Sequence, residues 1–123
     1  MSSIQTANKY LINAQDGANN IERATISYIL AVSSSKTCET VIFVSAEASK
    51  YCVKGSVEGV VSEGLEPIAD LQAAFISNGG KIWLCPACAK AKGITANDLI
   101  DGVEITGAPR VMEFLASGGL TLA

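Results

Sequence analysis

The apolar residues of this chain fall into short runs and helical stripes that alternate along its length. "KYLINAQ" (9–15) is a brief apolar run closed by "DGANN", a turn signal, and predicts a first strand. In "NNIERATISYILAVSSS", Ile21, Ala24, Thr25, Tyr28, Ile29 and Val32 recur at helical spacing. Asn19 or Asn20 is placed to cap that helix. Ile26 and Leu30 fall off the stripe, so a second helix face is expected to be covered. In "ETVIFVSAE" (39–47) the run from Val41 to Val44 is unbroken, which suits a parallel strand buried on both faces.

Beyond it, glycines at 55, 59 and 64 weaken any long helix, and one short helix with a loop is predicted. "PIADLQAAFISNGG" is a helix, with Pro67 in its first turn, Ile68, Leu71 and Phe75 on one face, and "NGG" as its stop. "KIWLC" (81–85) is the third strand, followed by a short helix through "PACAKAKG". "TANDLI" offers Thr95 as a cap with an acid three residues on, and "GVEIT" (102–106) a fourth strand. "GAPRVMEFLASGG" is a last helix with Val111, Phe114 and Leu115 inside, and "LTLA" a fifth, edge strand. The order β-α-β-α-β-α-β-α-β is that of an α/β fold, a parallel sheet with helices on both faces. Residues 1–123 are expected to form a single domain.

Composition narrows the chemistry. Apolar residues make up 49% of the chain and charged ones only 17%. So apolar a small protein is expected to bury surface in subunit contacts. The net charge is −3 with no basic run, which sets nucleic acid aside as a partner. No segment is apolar enough to span a membrane, and the N-terminus lacks the pattern of a signal peptide. A cytoplasmic address is expected, where the four cysteines stay reduced. Histidine is absent, which removes Cys–His dyads, Ser–His–Asp triads and histidine metal sites.

The chemistry then rests on "GGKIWLCPACAKAKG" (79–93). Cys85 falls at the end of the third strand, and Pro86 suits the first position of a helix. A thiol there meets unpaired N–H groups and the positive end of the helix dipole, both of which favour the thiolate. Lys90 and Lys92 add positive charge nearby. Cys88 lies about one helical turn on, within reach of Cys85. Four readings stand side by side. The cysteines are buried filling, half of a zinc site, a redox pair, or a sulfur-accepting site. Zinc would need Cys38 and Cys52 from a different βα unit, and those two read as packing residues. No metal or other cofactor is expected. A thioredoxin fold carries its motif after its first strand, whereas two βα units precede this one. A persulfide carrier needs a nucleophilic, accessible cysteine and neither histidine nor metal.

In a parallel sheet, ligands gather beyond the carboxyl ends of the strands. Asp16–Gly17, Ser45–Glu47, Cys85–Cys88 and Gly107–Arg110 are expected to converge there. Asp16 and Gly17 read first as a tight turn and second as ligand contacts. Gly107, Ala108 and Pro109 open a helix whose N–H groups offer a place for a small anion, a thiosulfonate or phosphate. Arg110 is placed to help, with a solvated arginine as the alternative. Glu47 reads as a solvated carboxylate at the same edge, and Trp83 as core or a subunit contact.

"KIWLCPACAKAKGI" followed by "DLIDGVEITGAPRVMEFLASG" resembles the C-terminal half of the DsrE/DsrF-like sulfur-relay family. "KYLINAQDGANNIERATISYILAVSSS" is similar to that family's opening strand, glycine-bearing turn and helix. The resemblance implies a three-layer α/β/α sandwich with a mainly parallel five-stranded sheet. It implies a homo-oligomer, trimer or hexamer, and a sulfur donor or acceptor protein as partner. It also implies that Cys85 is the sulfur-accepting cysteine and that Cys88 matches a second cysteine found in some members. Two alternatives stay open: a homo-oligomeric protein that binds a small ligand, and a small thiol redox protein using Cys85 and Cys88.

Overall fold

The computed structural model describes residues 9–122. The start of the N-terminal stretch, read as lacking a signal peptide, and the last residue of "LTLA" lie outside the described residues. Five strands, β1 (Lys9–Ala14), β2 (Glu39–Val44), β3 (Lys81–Leu84), β4 (Val103–Ile105) and β5 (Leu120–Leu122), form one sheet in the order β4-β3-β2-β1-β5. Every strand pairing in it is parallel.

The helices are α1 (Ile21–Ser35), α2 (Ile68–Ser77), α3 (Pro86–Ala91) and α4 (Ala108–Ala116). Right-handed crossovers decide where they lie. From β1 to β4 the chain steps one way across the sheet, so α1, α2 and α3 fall on one face. From β4 it crosses back to β5 at the far edge, and α4 falls on the other. The packing follows that division. Ile12, Ile42, Ile82 and Leu84 meet Tyr28, Leu71, Phe75 and Ala89 on the first face. Leu11, Val41 and Trp83 meet Phe114 on the second. The result is a three-layer α/β/α sandwich.

Strand periodicity explains the two cores. Alternate residues of a strand point to opposite faces, and both Val41 and Ile42 are buried. Each fully buried Leu, Ile or Phe contributes about 1.5–3 kcal/mol of transfer free energy. In α1 the Asn20 side chain accepts a hydrogen bond from the Arg23 N–H at 3.1 Å, and Ala24, Tyr28 and Ala31 face inward. Gln72 of α2 is buried, and its amide donates to the Tyr28 hydroxyl at 3.0 Å and the Tyr51 carbonyl at 2.8 Å. That amide joins α1, α2 and the segment between β2 and α2.

The harder segment forms a 3-10 helix over Ala46–Cys52 and then turns. Gly55, Gly59 and Gly64 all adopt positive φ, which ends helical continuation there. Pro67 is the extended cap of α2 rather than a residue of its first turn. Thr95 and Asp98 do form a capping box, although the helix it opens is one 3-10 turn, Ala96–Asp98. Ile26 and Leu30, expected to be covered, are exposed in the single chain. Cys52 is wholly buried, as expected of a packing residue. Cys38 is half-buried instead, because it lies in the turn that leads from α1 into β2.

Candidate functional site

Cys85 is the residue at which β3 becomes α3. Its N–H still donates to the Val44 carbonyl at 2.9 Å, continuing the β2–β3 ladder, while its carbonyl accepts from the Ala89 N–H at 3.0 Å, closing the first helical turn. Pro86 follows at the start of the helix. Its missing N–H costs nothing there, because the first helical N–H groups have no intrahelical partner. Cys85 is left half-buried beyond the strand end.

Several groups act on that sulfur. Burial opposes ionisation, but hydrogen bonds from the Cys88 N–H, the Cys88 thiol and the Ala87 N–H outweigh it. Together they hold the Cys85 thiol below its ordinary range, as donors to a charged form do. The contrast with Cys52 is large, since burial alone pushes that thiol up to about 12. Cys52 is therefore an unreactive thiol at neutral pH.

Cys88 has a second partner. The backbone N–H of Ala46 donates to its sulfur at 3.3 Å. Ala46 opens the 3-10 helix after β2 and holds φ at 51°. That left-handed conformation costs a non-glycine residue about 1–2 kcal/mol. The parallel pairing of β2 with β3 is what brings residues 46 and 88 together.

Lysine plays a different part from the one expected. The Lys92 ammonium is held by the Glu47 carboxylate at 3.1 Å, and Lys50 stands 3.8 Å from the same carboxylate. The hydrogen bond from Lys92, then its charge, then that of Lys50 hold the Glu47 carboxyl below the usual carboxylate range. The pair contributes above the unfolded pKa of Glu47 and is lost as pH falls through the folded value. It ties the 3-10 helix to α3, whereas the thiolate of Cys85 is favoured by N–H groups and a neighbouring thiol.

The four clusters expected at this edge come together in sequence across it. Gly17 lies against the backbone of Glu47, so closely that a Cβ would overlap the Glu47 carbonyl. Gly107 lies against the Pro86 ring, 3.0 Å from where its own Cβ would stand. The turn reading of Asp16 and Gly17 has a local basis. The Asp16 carboxylate accepts from Asn19 at 2.9 Å and Arg23 at 3.0 Å, and the Gly17 N–H donates to Asn19 at 2.8 Å. Asp16 and Arg23 line one groove of about 290 Å³.

Gly107 caps α4, whose first residues are Ala108 and Pro109. Gly107, Pro109 and Arg110 line a second groove with Pro86 and Thr106, about 450 Å³ in volume. Arg110 pairs with Glu104 at 2.9 Å, and its guanidinium lies 4.9 Å from the centre of the Trp83 ring. Trp83 is core: it is buried, edge-on to Phe114 at 5.7 Å. Ala46 and Ala87 escaped the sequence reading because they act through backbone N–H groups. Among the described residues, no three His, Cys, Asp or Glu side chains gather as a metal site, and no helix is long and apolar enough to cross a membrane.

Comparison with known proteins agrees with this architecture. The uncharacterized protein MJ0760 of Methanocaldococcus jannaschii is 29% identical over 108 residues, 87% of this chain and 39% of that protein. The chain thus spans well under half the length of this curated relative. The crystal structure of the ychN protein from E. coli matches with a TM-score of 0.76 at 23% identity, over 94% of this chain and 99% of that one. MTH1491 from Methanobacterium thermoautotrophicum, described as a protein of unknown function, matches with a TM-score of 0.65 at 10% identity, over 93% and 96%. At such identities the structures show a shared fold. A family profile matches residues 8–122, and by it the chain belongs to the DsrE/DsrF-like family.

Proposed function

We propose that this chain handles sulfane sulfur, with Cys85 as the atom that takes it up and passes it on. One observation carries the reading. Cys85 stands half-buried at the cap of α3 where β3 ends, and the first N–H groups of that helix hold its thiol below the ordinary range without a histidine base. The thiolate attacks the outer sulfur of a persulfide or polysulfide donor. A new S–S bond forms on Cys85, and the donor's remaining sulfur leaves as a thiolate. An acceptor thiolate then attacks the outer sulfur of the Cys85 persulfide, which restores the Cys85 thiolate.

Family membership supports the reading through the resemblance to sulfur-relay proteins. The donor or acceptor protein, a cytoplasmic setting and a homo-oligomer, trimer or hexamer, are parts of the same proposal. Exposed Ile26, Leu30, Leu120 and Leu122 supply apolar surface for subunit contact. The groove lined by Pro86, Gly107, Pro109, Arg110 and Glu113 is the proposed approach for the donor, with Ala108 at the same helix start. The turn at Asp16 and Gly17 lies against Glu47, at the ends of β1 and β2.

The test is intact-mass analysis after exposure to polysulfide and removal of the excess. The expected result is a gain of one sulfur, mapped to Cys85 and absent in Cys85→Ser. No uptake by the wild type overturns the reading. If small-ligand binding then survives in Cys85→Ser, the chain is a binding module instead.

A further inference from the structure

Cys88 is tied to two elements at once. It is the third residue of α3, one helical turn on from Cys85 at the helix cap, and its sulfur accepts the Ala46 N–H at 3.3 Å. The thiol therefore stands one helical turn from Cys85, with a backbone donor already in place on its sulfur. A merely packed cysteine needs no such donor. Cys88 is half-buried, as Cys85 is, and lies one helical turn from the residue that carries the cargo.

We infer that Cys88 discharges the Cys85 persulfide within the chain, releasing sulfide and leaving a Cys85–Cys88 disulfide. The step rests on the persulfide reading above. Its balance is simple. The Cys88 sulfur attacks the inner sulfur, Cys85 Sγ, and forms the Cys85–Cys88 bond. The bond between inner and outer sulfur breaks, and its electron pair leaves with the outer sulfur. The Cys88 proton goes to that departing sulfur, so persulfide anion and thiol become disulfide and hydrosulfide. The Cys88 sulfur is oxidised and the cargo sulfur is reduced. No other reagent enters. The Ala46 N–H faces the charge that develops on Cys88 as its proton leaves.

This gives the site two exits. With an acceptor thiolate at hand, the outer sulfur is attacked and transferred. Without one, Cys88 attacks the inner sulfur and sulfide is set free. The disulfide then needs an external dithiol reductant to restore the site. Proximity favours the internal route, because a neighbouring thiol competes at a very high effective concentration.

The experiment compares wild type, Cys88→Ser and Cys88→Ala, all carrying Cys38→Ser to remove the other half-exposed thiol. Each is loaded briefly with polysulfide, desalted and followed in time by intact mass, peptide mapping and sulfide release. In the wild type the added sulfur is expected to vanish as one equivalent of sulfide appears. The mass then falls two hydrogens below the starting protein, with Cys85 linked to Cys88, and dithiothreitol restores it. Both Cys88 variants are expected to keep the added sulfur about 100-fold longer. Equal persulfide lifetimes in all three proteins, or sulfide loss without the Cys85–Cys88 link, overturn the inference and leave the persulfide reading standing. Absence of uptake in all three overturns both.

Discussion

The backbone N–H of Ala46 donates to the Cys88 sulfur at 3.3 Å, across 42 positions of sequence. The contact joins the end of β2 to the helix that follows β3. It makes the two cysteines of the motif unequal: Cys85 is held by groups of its own helix turn, Cys88 by a neighbouring strand end. Ala46 keeps φ at 51° to present that N–H.

Replacement of Ala46 by Gly tests that cost. An Ala-to-Gly change in ordinary regular structure destabilises by roughly 0.5–1 kcal/mol through added chain entropy. At Ala46 the relief of the left-handed conformation, about 1–2 kcal/mol, opposes that loss. Ala46→Gly is therefore expected to leave stability unchanged or raise it by up to about 1 kcal/mol. Urea unfolding measures it. A clear loss of stability would show that the methyl group makes a contact worth more than the strain.

The reactivity of Cys85 with pH reads out its donors. Alkylation by a neutral haloacetamide, followed in a Cys38→Ser background, is expected to show a midpoint below that of an ordinary cysteine. Cys88→Ala removes one donor to the thiolate and is expected to raise the midpoint, while the Ala87 and residue-88 N–H groups keep part of the effect. Cys88→Ser retains a hydroxyl donor and is expected to fall between. An unmoved midpoint in Cys88→Ala would refute the thiol–thiol contact.

Much of this arrangement is legible in the sequence, for local reasons. The unbroken run Val41–Val44 marks a strand covered on both sides, and β2 lies second from neither edge of the five-stranded sheet but at its centre. Asn20 and the stripe through Ala24 and Tyr28 specify α1 within one segment. Cys85 is legible because a strand end and a helix-opening Pro86 are adjacent in the chain. The rest is long-range. Glu47 and Lys92 pair across 45 positions and Ala46 reaches Cys88 across 42, and both contacts exist only once β2 and β3 are aligned. Lys92 therefore read as a charge for the cysteines when it is in fact held by Glu47. Nothing in an alanine codes for a positive φ, so Ala46 carried no signal.

Gly17 meets the far side of the same strand end. A Cβ at this position would overlap the Glu47 carbonyl, a backbone atom that cannot swing aside. Gly17→Ala is expected to cost about 1–3 kcal/mol by forcing the β1 turn and the 3-10 helix apart. The displacement also reaches Ala46, one residue before Glu47. A lowered unfolding midpoint together with an altered Cys85 alkylation rate is the expected pair of results. An unchanged midpoint would mean that the two segments separate freely.

Gln72 supports the layer beneath. Its buried amide serves the Tyr28 hydroxyl and the Tyr51 carbonyl. Gln72→Leu keeps the volume but strands both partners, at a cost of about 1–3 kcal/mol. Denaturant unfolding is the measurement, with the slope expected to stay that of the wild type. A loss below about 0.5 kcal/mol would show that both partners find other hydrogen bonds once the amide is gone.

The apolar edge makes the assembly testable. Leu122 lies on β5, an edge strand, and lines a groove of about 460 Å³ together with Leu30 of α1. Both side chains are over a third exposed, at 38% and 39%. If subunit contact covers the rest, each contributes about 1 kcal/mol to association, or roughly 5-fold in the association constant. Leu30→Glu with Leu122→Glu removes both contributions and sets two carboxylates in a buried seam. Sedimentation velocity is expected to show the wild type as a trimer or hexamer and the double variant as smaller species. Far-UV circular dichroism is expected to stay unchanged, because neither residue belongs to the buried core of the single chain. An assembly that survives both substitutions would place the subunit contact on another face.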